Sequence, residues 1–172
     1  MKILIHFTLC CLLSFSAYSQ KWIKGNKYLY KVEAPLAFYE KTPTGPNTDI
    51  ALRDESGNSI VIVVTKLPEQ LRGQNVATAM SEISNEDFVG MAEQSLDDVK
   101  LIKRGTLNIS GKSSHFANVT HRSSTGGIIL YAENYYIWHN GYQYLMTLSC
   151  QPKNRDAVGA KFYRAVRSFS FL

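Results

Sequence analysis

Tyr131-Ala132-Glu133-Asn134-Tyr135-Tyr136-Ile137-Trp138-His139-Asn140-Gly141-Tyr142-Gln143-Tyr144-Leu145-Met146-Thr147-Leu148-Ser149-Cys150 reads as two strands joined by a two-residue turn. An Asn-Gly pair favours the type I′ hairpin, whose two central residues both need positive φ, and that turn dictates which residues stand opposite one another. His139 then faces Tyr142, Ile137 faces Tyr144, Tyr135 faces Met146, Glu133 faces Leu148 and Tyr131 faces Cys150, all on one side of the sheet. That side is largely apolar and is expected to belong to the core. The opposite side pairs Trp138 with Gln143, Tyr136 with Leu145, Asn134 with Thr147 and Ala132 with Ser149. It is mixed, and is expected to be wet.

Before this hairpin the pattern predicts two further strands, residues 99–110 and 113–124, with turns at Gly111-Lys112 and near Thr125-Gly126-Gly127, and starts the hairpin's own first strand at residue 128. Together they make a four-stranded antiparallel meander. Earlier in the chain, residues 28–34 alternate as a strand ending at Pro35, and residues 41–47 are dense in turn formers and expected to be an exposed loop. Residues 49–55 and 60–64 flank a Ser56-Gly57-Asn58 turn; the second is apolar at every position, as a central strand covered on both faces would be. Two helical stretches follow. Asn75 is placed to cap one carrying Val76, Ala79, Met80 and Ile83; Ser84 and Asp87 form a capping box for another carrying Phe88, Met91, Ala92 and Leu96. After Pro152, Asn154 is placed to cap a last helix with Val158, Phe162, Ala165 and Val166 at helical spacing. Phe169 and Phe171 finish the chain as alternating apolar residues.

The first residues carry an address. Met1-Lys2, an apolar stretch from residue 3 to residue 15, and Ala17 and Ser19 at the inspected positions predict a signal peptide over residues 1–19, cleaved before Gln20. The apolar run is shorter than the roughly 20 residues a membrane span needs. Export would leave about 150 residues, a single domain over residues 20–172, large enough to bury a core. Residues 20–27 read as a short polar lead-in. Cys10 and Cys11 leave with the signal, so Cys150 is expected to be a buried small hydrophobe with no disulfide partner. The formal charge of +5 falls to +4 without Lys2, and its Lys and Arg are scattered, which argues against a nucleic-acid partner.

Few residues carry a chemical signal. Glu133 lies on the apolar side of the hairpin, where an unpaired carboxylate is costly to bury; it is expected either to sit at the sheet margin or pair with an Arg or Lys, or else to act as a ligand or in proton transfer. Tyr136 and Trp138, with Leu145, would form an exposed aromatic patch of the sort that marks a binding surface, unless the final helix or the early strands cover it. His115 and His139 approach each other only in one register of two. The chain lacks HExxH, CxxC, G-x-S-x-G and Gly-rich phosphate motifs, so neither a metal site, a catalytic residue nor a cofactor is assigned. Asn108-Ile109-Ser110 and Asn118-Val119-Thr120 match the glycosylation sequon, which matters only in a eukaryotic secretory pathway.

The order of elements and several local motifs resemble the PsbP-like fold, shared with the Mog-type nuclear-import factor and with periplasmic DcrB-like proteins. The matching residues are Tyr30-Lys31-Val32-Glu33-Ala34-Pro35, Gly57-Asn58-Ser59-Ile60-Val61-Ile62, Ile109-Ser110-Gly111-Lys112 and Arg167-Ser168-Phe169-Ser170-Phe171. Where such proteins carry a tryptophan soon after the first proline, this chain has Pro35-Leu36-Ala37-Phe38, and Phe38 would fill the space. The resemblance implies an α+β domain: an antiparallel sheet of about six or seven strands sandwiched by helices. It also implies a role in binding or assembly. Some photosynthetic members are associated with calcium or manganese, but no ligand residue is matched here.

Three functions stay open on the residues. The leading one is a non-enzymatic, secreted or periplasmic domain, with possible cell-envelope association, holding a protein partner on one sheet face or on the 41–47 loop. The second is a carrier of a small apolar ligand or lipid, its pocket lined by Tyr131, Tyr135, Tyr142 and Tyr144. The third is a hydrolase-type enzyme centred on Glu133 with a nearby histidine.

Overall fold

Asn140 and Gly141 both take positive φ, 49° and 78°, and the strands they join pair from His139 opposite Tyr142 to Tyr131 opposite Cys150, the register expected of a type I′ turn. The computed structural model describes residues 21–123 and 126–172. The signal peptide expected over residues 1–19 lies outside them, as does Thr125 of the expected turn. Strands β1 (Lys21–Lys24), β2 (Tyr30–Ala34), β3 (Tyr39–Glu40), β4 (Thr48–Arg53) and β5 (Ser59–Lys66) lead into helices α1 (Val76–Ser81) and α2 (Asn85–Glu93). The meander follows as β6 (Asp97–Ile109), β7 (Lys112–Arg122), β8 (Ile129–His139) and β9 (Tyr142–Cys150), and α3 (Arg155–Ser168) and β10 (Ser170–Phe171) close the chain.

Among the described residues, an antiparallel seven-stranded sheet runs in the order β3-β4-β5-β9-β8-β7-β6, and a three-stranded one runs β1-β2-β10. The fold is α+β, as expected. One face of the large sheet presents Ile60, Ile62 and Val64 from β5, Tyr144, Met146 and Leu148 from β9, and Tyr131 and Ile137 from β8, all buried. Over it lie Tyr30, Val32 and Ala34 of β2 and Val158, Phe162, Ala165 and Val166 of α3, in one continuous core. Phe38 joins that core with its ring 6.5 Å from that of Phe162. The opposite face carries a second, smaller core of Val99, Ala117, Val119 and Ala132 beneath Phe88 of α2.

Local chemistry explains the helix starts. Asn75 Oδ1 accepts from the Ala77 amide at 2.8 Å, and Ser84 Oγ accepts from the Asp87 amide at 3.0 Å. Asn154, by contrast, does not cap α3 with its side chain: it has helical φ and ψ inside a 3₁₀ turn, Pro152–Asn154, that runs directly into the helix. Its amide reaches back to Asn58 Oδ1 instead, at 3.4 Å.

Three further expectations change. The lead-in is a strand, β1, because Ile23 points inward at 7% exposure while Trp22 and Lys24 face out and Lys21 is exposed at the strand's start, a pattern the charged residues disguised. The first meander turn is Ser110-Gly111, one residue earlier than expected; both have positive φ, and Asn108 Oδ1 accepts from the Gly111 amide at 3.0 Å. Residues 60–64 are central, between β4 and β9, but Val61 and Val63 are partly exposed, so only one face of that strand is fully covered. Among the described residues no helix is long and apolar enough to cross a membrane.

The two layers are tied at Asp49. Its buried carboxylate accepts from the backbone amides of Asn26 at 3.1 Å and Lys27 at 2.9 Å, and this fixes the loop between β1 and β2 over the large sheet. Gly25 sits inside that clamp. A Cβ there would lie 2.8 Å from Asp49 Oδ2 and closer still to the Tyr28 carbonyl and the Tyr30 ring. Gly25→Ala is therefore expected to destabilise the fold by about 1–3 kcal/mol through overpacking. Urea denaturation checks this; an unchanged midpoint would show that the loop yields without loss.

Candidate functional site

The side of the sheet opposite the main core is where the sequence placed its binding patch. Rows run across the strands: Val63 opposes Leu145, Leu145 opposes Tyr136, and Tyr136 opposes His115. The next row joins Val61, Thr147, Asn134 and Ala117, with Thr147 Oγ1 donating to Asn134 Oδ1 at 2.8 Å. Helices α1 and α2 lie over the β6, β7 and β8 part of this face. They, and not the final helix or the early strands, supply the cover over Tyr136, whose ring packs against the smaller core. Burial pushes its hydroxyl up to about 12. Tyr136, Trp138, Leu145, Val61 and Val63 are all partly exposed. The expected aromatic patch is thus partly roofed at Tyr136 and continues into the aliphatic Leu145, Val63 and Val61; the Trp138 indole Nε1 donates to Gln143 Oε1 at 3.0 Å.

Glu133 sits on the other face and has found partners that the sequence did not foretell. Tyr131 donates to one of its carboxylate oxygens at 3.0 Å and Tyr135 to the other at 2.8 Å. Asn118 Nδ2 in turn donates to the Tyr131 hydroxyl at 2.9 Å, and the Arg155 guanidinium lies 4.6 Å from the centre of the Tyr131 ring. Burial, reinforced by the adjacent carboxylate, pushes the Tyr131 hydroxyl up to about 12 and raises that of Tyr135 further. Both phenols therefore stay protonated and serve as donors. The network satisfies the carboxylate in place.

Among the described residues no histidine joins it. His115 faces the opposite side of the sheet, and His139, on the same side, lies six residues along β8, roughly 20 Å away at strand rise. His115 and His139 likewise fall on opposite faces. Among the described residues no three His, Cys, Asp or Glu side chains are grouped to hold a metal. The four tyrosines of the expected ligand pocket are also accounted for. Tyr144 packs edge-on against Tyr30 at 5.6 Å and Phe171 at 5.1 Å, Tyr142 against Tyr28 at 5.3 Å, while Tyr131 and Tyr135 serve Glu133. A groove of about 500 Å³ lies elsewhere, along α2 and β6, lined by Asn85, Glu86, Val89, Gly90, Glu93 and Leu101. Cys150 is buried, with its thiol raised by desolvation, and packs as an apolar side chain.

One residue that the sequence left without a role is conspicuous in the fold. His115 is only 2% exposed beneath Phe88 and Tyr136, and neither of its ring nitrogens has a hydrogen-bond partner; Nη1 of the neighbouring Arg104 has none either. Burial, and then the Arg104 charge, lower its pKa. The sequence signal was the row itself, since β7 alternates His115, Ala117 and Val119 on one face.

No family model matches the chain, and no curated protein matches it. Solved structures do. The fold is similar to the solution structure of cyanobacterial PsbP (CyanoP) from Synechocystis sp. PCC 6803, with a TM-score of 0.67 and 16% identity over 92% of this chain and 96% of that one. It is also similar to LpqN, involved in cell envelope biogenesis of Mycobacterium tuberculosis, with a TM-score of 0.56 and 7% identity over 88% and 89% of the two chains. A third is PA94 from Pseudomonas aeruginosa, a protein of unknown function, at 0.53 and 17% over 87% and 94%. At these identities the likeness is one of fold, and that fold is PsbP-like.

The buried imidazole yields a sign that solution work can read. A histidine whose folded pKa is depressed stays neutral while its unfolded counterpart takes up a proton, so stability falls as pH drops below the unfolded pKa of about 6.5. His115→Gln is expected to flatten the loss of thermal stability between about pH 7 and about pH 5. Parallel acid limbs in the wild type and in His115→Gln would show that His115 is protonated without penalty.

Proposed function

We propose that this chain is a non-enzymatic binding or assembly domain of the periplasm or cell envelope, exported on residues 1–19, that holds a protein partner against the open strip of its large sheet. The observation that carries this reading is asymmetric cover. One face of the sheet is roofed by α3 and the small sheet, while on the other α1 and α2 roof β6 to β8 and leave Val61, Val63, Leu145 and Trp138 partly exposed. A contiguous apolar strip rimmed by Thr65, Gln143, Thr147 and Ser149 has the make-up of a protein-binding surface, apolar in the middle and polar around it.

The likeness to an envelope-biogenesis protein supports the compartment. The packed tyrosines give a carrier no cavity of their own, and the tyrosine-saturated Glu133 lacks the histidine that the hydrolase reading required. The 41–47 loop, exposed at nearly every position, is the competing contact surface.

Affinity capture from the native cell envelope distinguishes the two surfaces. A Trp138→Ala/Leu145→Lys double variant that keeps the wild-type melting temperature is expected to lose at least about tenfold of captured partner, as truncation at an interface centre does. A chain whose 41–47 loop is replaced by Gly and Ser is expected to keep it. Retention by the double variant with loss by the loop variant would transfer the role to the loop; retention by both would remove the proposal.

A further inference from the structure

The charges of this chain are sorted by layer. Residues 69–98, which include α1 and α2, carry seven Asp and Glu against one Arg. Residues 21–34 and 152–172, which form the small sheet and α3, carry nine Lys and Arg against two Asp and Glu. The first group lies on one face of the large sheet and the second on the other. The modest overall charge conceals this division.

The basic residues make one continuous outer surface. Ser168 Oγ accepts from the Glu33 amide at 2.8 Å, so the end of α3 runs beside β2 in the same layer and both turn their polar sides outward together. On the strands, Lys24 stands opposite Lys31, whose ammonium lies 4.8 Å over the ring of Trp22. On the helix, a spacing of three puts Lys161, Arg164 and Arg167 on one exposed stripe, and Arg167 stacks 5.8 Å from Tyr163. Arg164 joins the two parts through Glu33, at 3.7 Å.

Glu33, Asp156 and Glu40 near this surface are outnumbered by its nine Lys and Arg. Glu33 is only 8% exposed and engaged by Arg164; Asp156 sits in the first turn of α3, where the helix dipole accommodates it; Glu40 pairs with Lys21 at the rim, 3.1 Å away. The acidic layer is roughly 20 Å distant across the sheet. That is more than twice the screening length of ~8 Å at physiological salt, so a charged body against the basic face feels that face alone. Trp22 and Tyr163, 44% and 64% exposed, add amphipathic rings of the kind that settle at headgroup depth.

We infer that the outer face formed by β1, β2 and α3 docks on an anionic lipid surface. Breadth, one sign of charge and exposed aromatic rings fit a headgroup layer, which presents diffuse negative charge and no shaped pocket. The inference goes beyond the partner-binding strip, which lies on the opposite side of the sheet.

Co-sedimentation of the purified protein with vesicles tests it. Binding is expected to vesicles of equal parts phosphatidylglycerol and phosphatidylcholine, not to phosphatidylcholine alone, and to vanish at about 1 M salt, where screening shortens to ~3 Å. A Lys24→Glu/Lys161→Glu/Arg167→Glu variant is expected to lose at least about tenfold in partitioning. The control, Lys41→Glu/Lys66→Glu/Lys100→Glu, makes the same change in net charge elsewhere and is expected to bind as the wild type does. All forms keep the same N-terminus, so its contribution cancels, and circular dichroism verifies that each is folded. Equal loss in both variants would reduce the effect to net charge, and wild-type binding by the face variant, or none by the wild type, would overturn the inference. Partner capture by the strip is read separately, so either proposal can fail alone.

Discussion

Successive side chains of a β-strand point to opposite faces, so a turn that fixes one cross-strand pair fixes the inward and outward sets of both strands at once. In this chain the Asn140-Gly141 turn does so for β8 and β9, and pairing carries the same parity outward to β5 and β7. Asn140 and Ser110, the first residues of the two tight turns, each hold positive φ, which costs an L residue roughly 1–2 kcal/mol. A slip of one residue would cost far more. It would turn Ile60, Ile62, Val64, Tyr144, Met146 and Leu148 outward, at about 1.5–3 kcal/mol for each buried side chain. The core therefore enforces the register, and the turns select it with little strain.

From that parity follows the division of the molecule into unlike halves. The inward set on one face is nearly all aliphatic and aromatic, and it receives β2, α3 and the terminal phenylalanines as a tight roof. Glu133 is the carboxylate in that set, and it is accommodated because tyrosines two residues away on either side share its face and turn their hydroxyls to it. The set on the other face includes Ala117, Val119 and Ala132, small residues that let α1 and α2 come close, and then shifts to Thr147, Gln143 and Ser149 toward β5. Cover stops where the side chains stop rewarding it.

Much of this was legible because it depends on local pattern. The meander, the hairpin register, the caps at Asn75 and Ser84 and the apolar stripe of α3 are each written in a few adjacent residues. What was not legible depends on contacts distant in sequence. β1 and β10 exist because they pair with β2, from segments separated from each other by most of the chain, and Lys21 and Lys24 hid the single inward side chain of β1. Asn154 has the right residue type for a cap, but the preceding 3₁₀ turn gives it helical backbone angles and its amide goes to Asn58. The partners of Glu133 needed only the period of two and were within reach of the sequence; the cover over Tyr136 needed the path of α1 and α2. Over the whole chain the charges partly offset one another to a net of +5, and the layers that separate them appear only with the sheet between them.

The separation of the two proposed surfaces is itself a consequence of the fold. A layered domain with one central sheet has two broad outer sides, and an element bound to one does not obstruct the other. Here the basic side is built from the first and last described elements of the chain, which lie in one layer because β10 and α3 both flank β2. The open strip is built from the middle strands, on the reverse of the sheet they share. Opposite charge on the two layers further opposes an inverted approach, since α1 and α2 would bring Glu82, Glu86, Asp87 and Glu93 against an anionic surface. A domain held by its basic layer would thus present the strip away from that surface, so orientation and recognition would rest on different residues and the same strand parity would govern both.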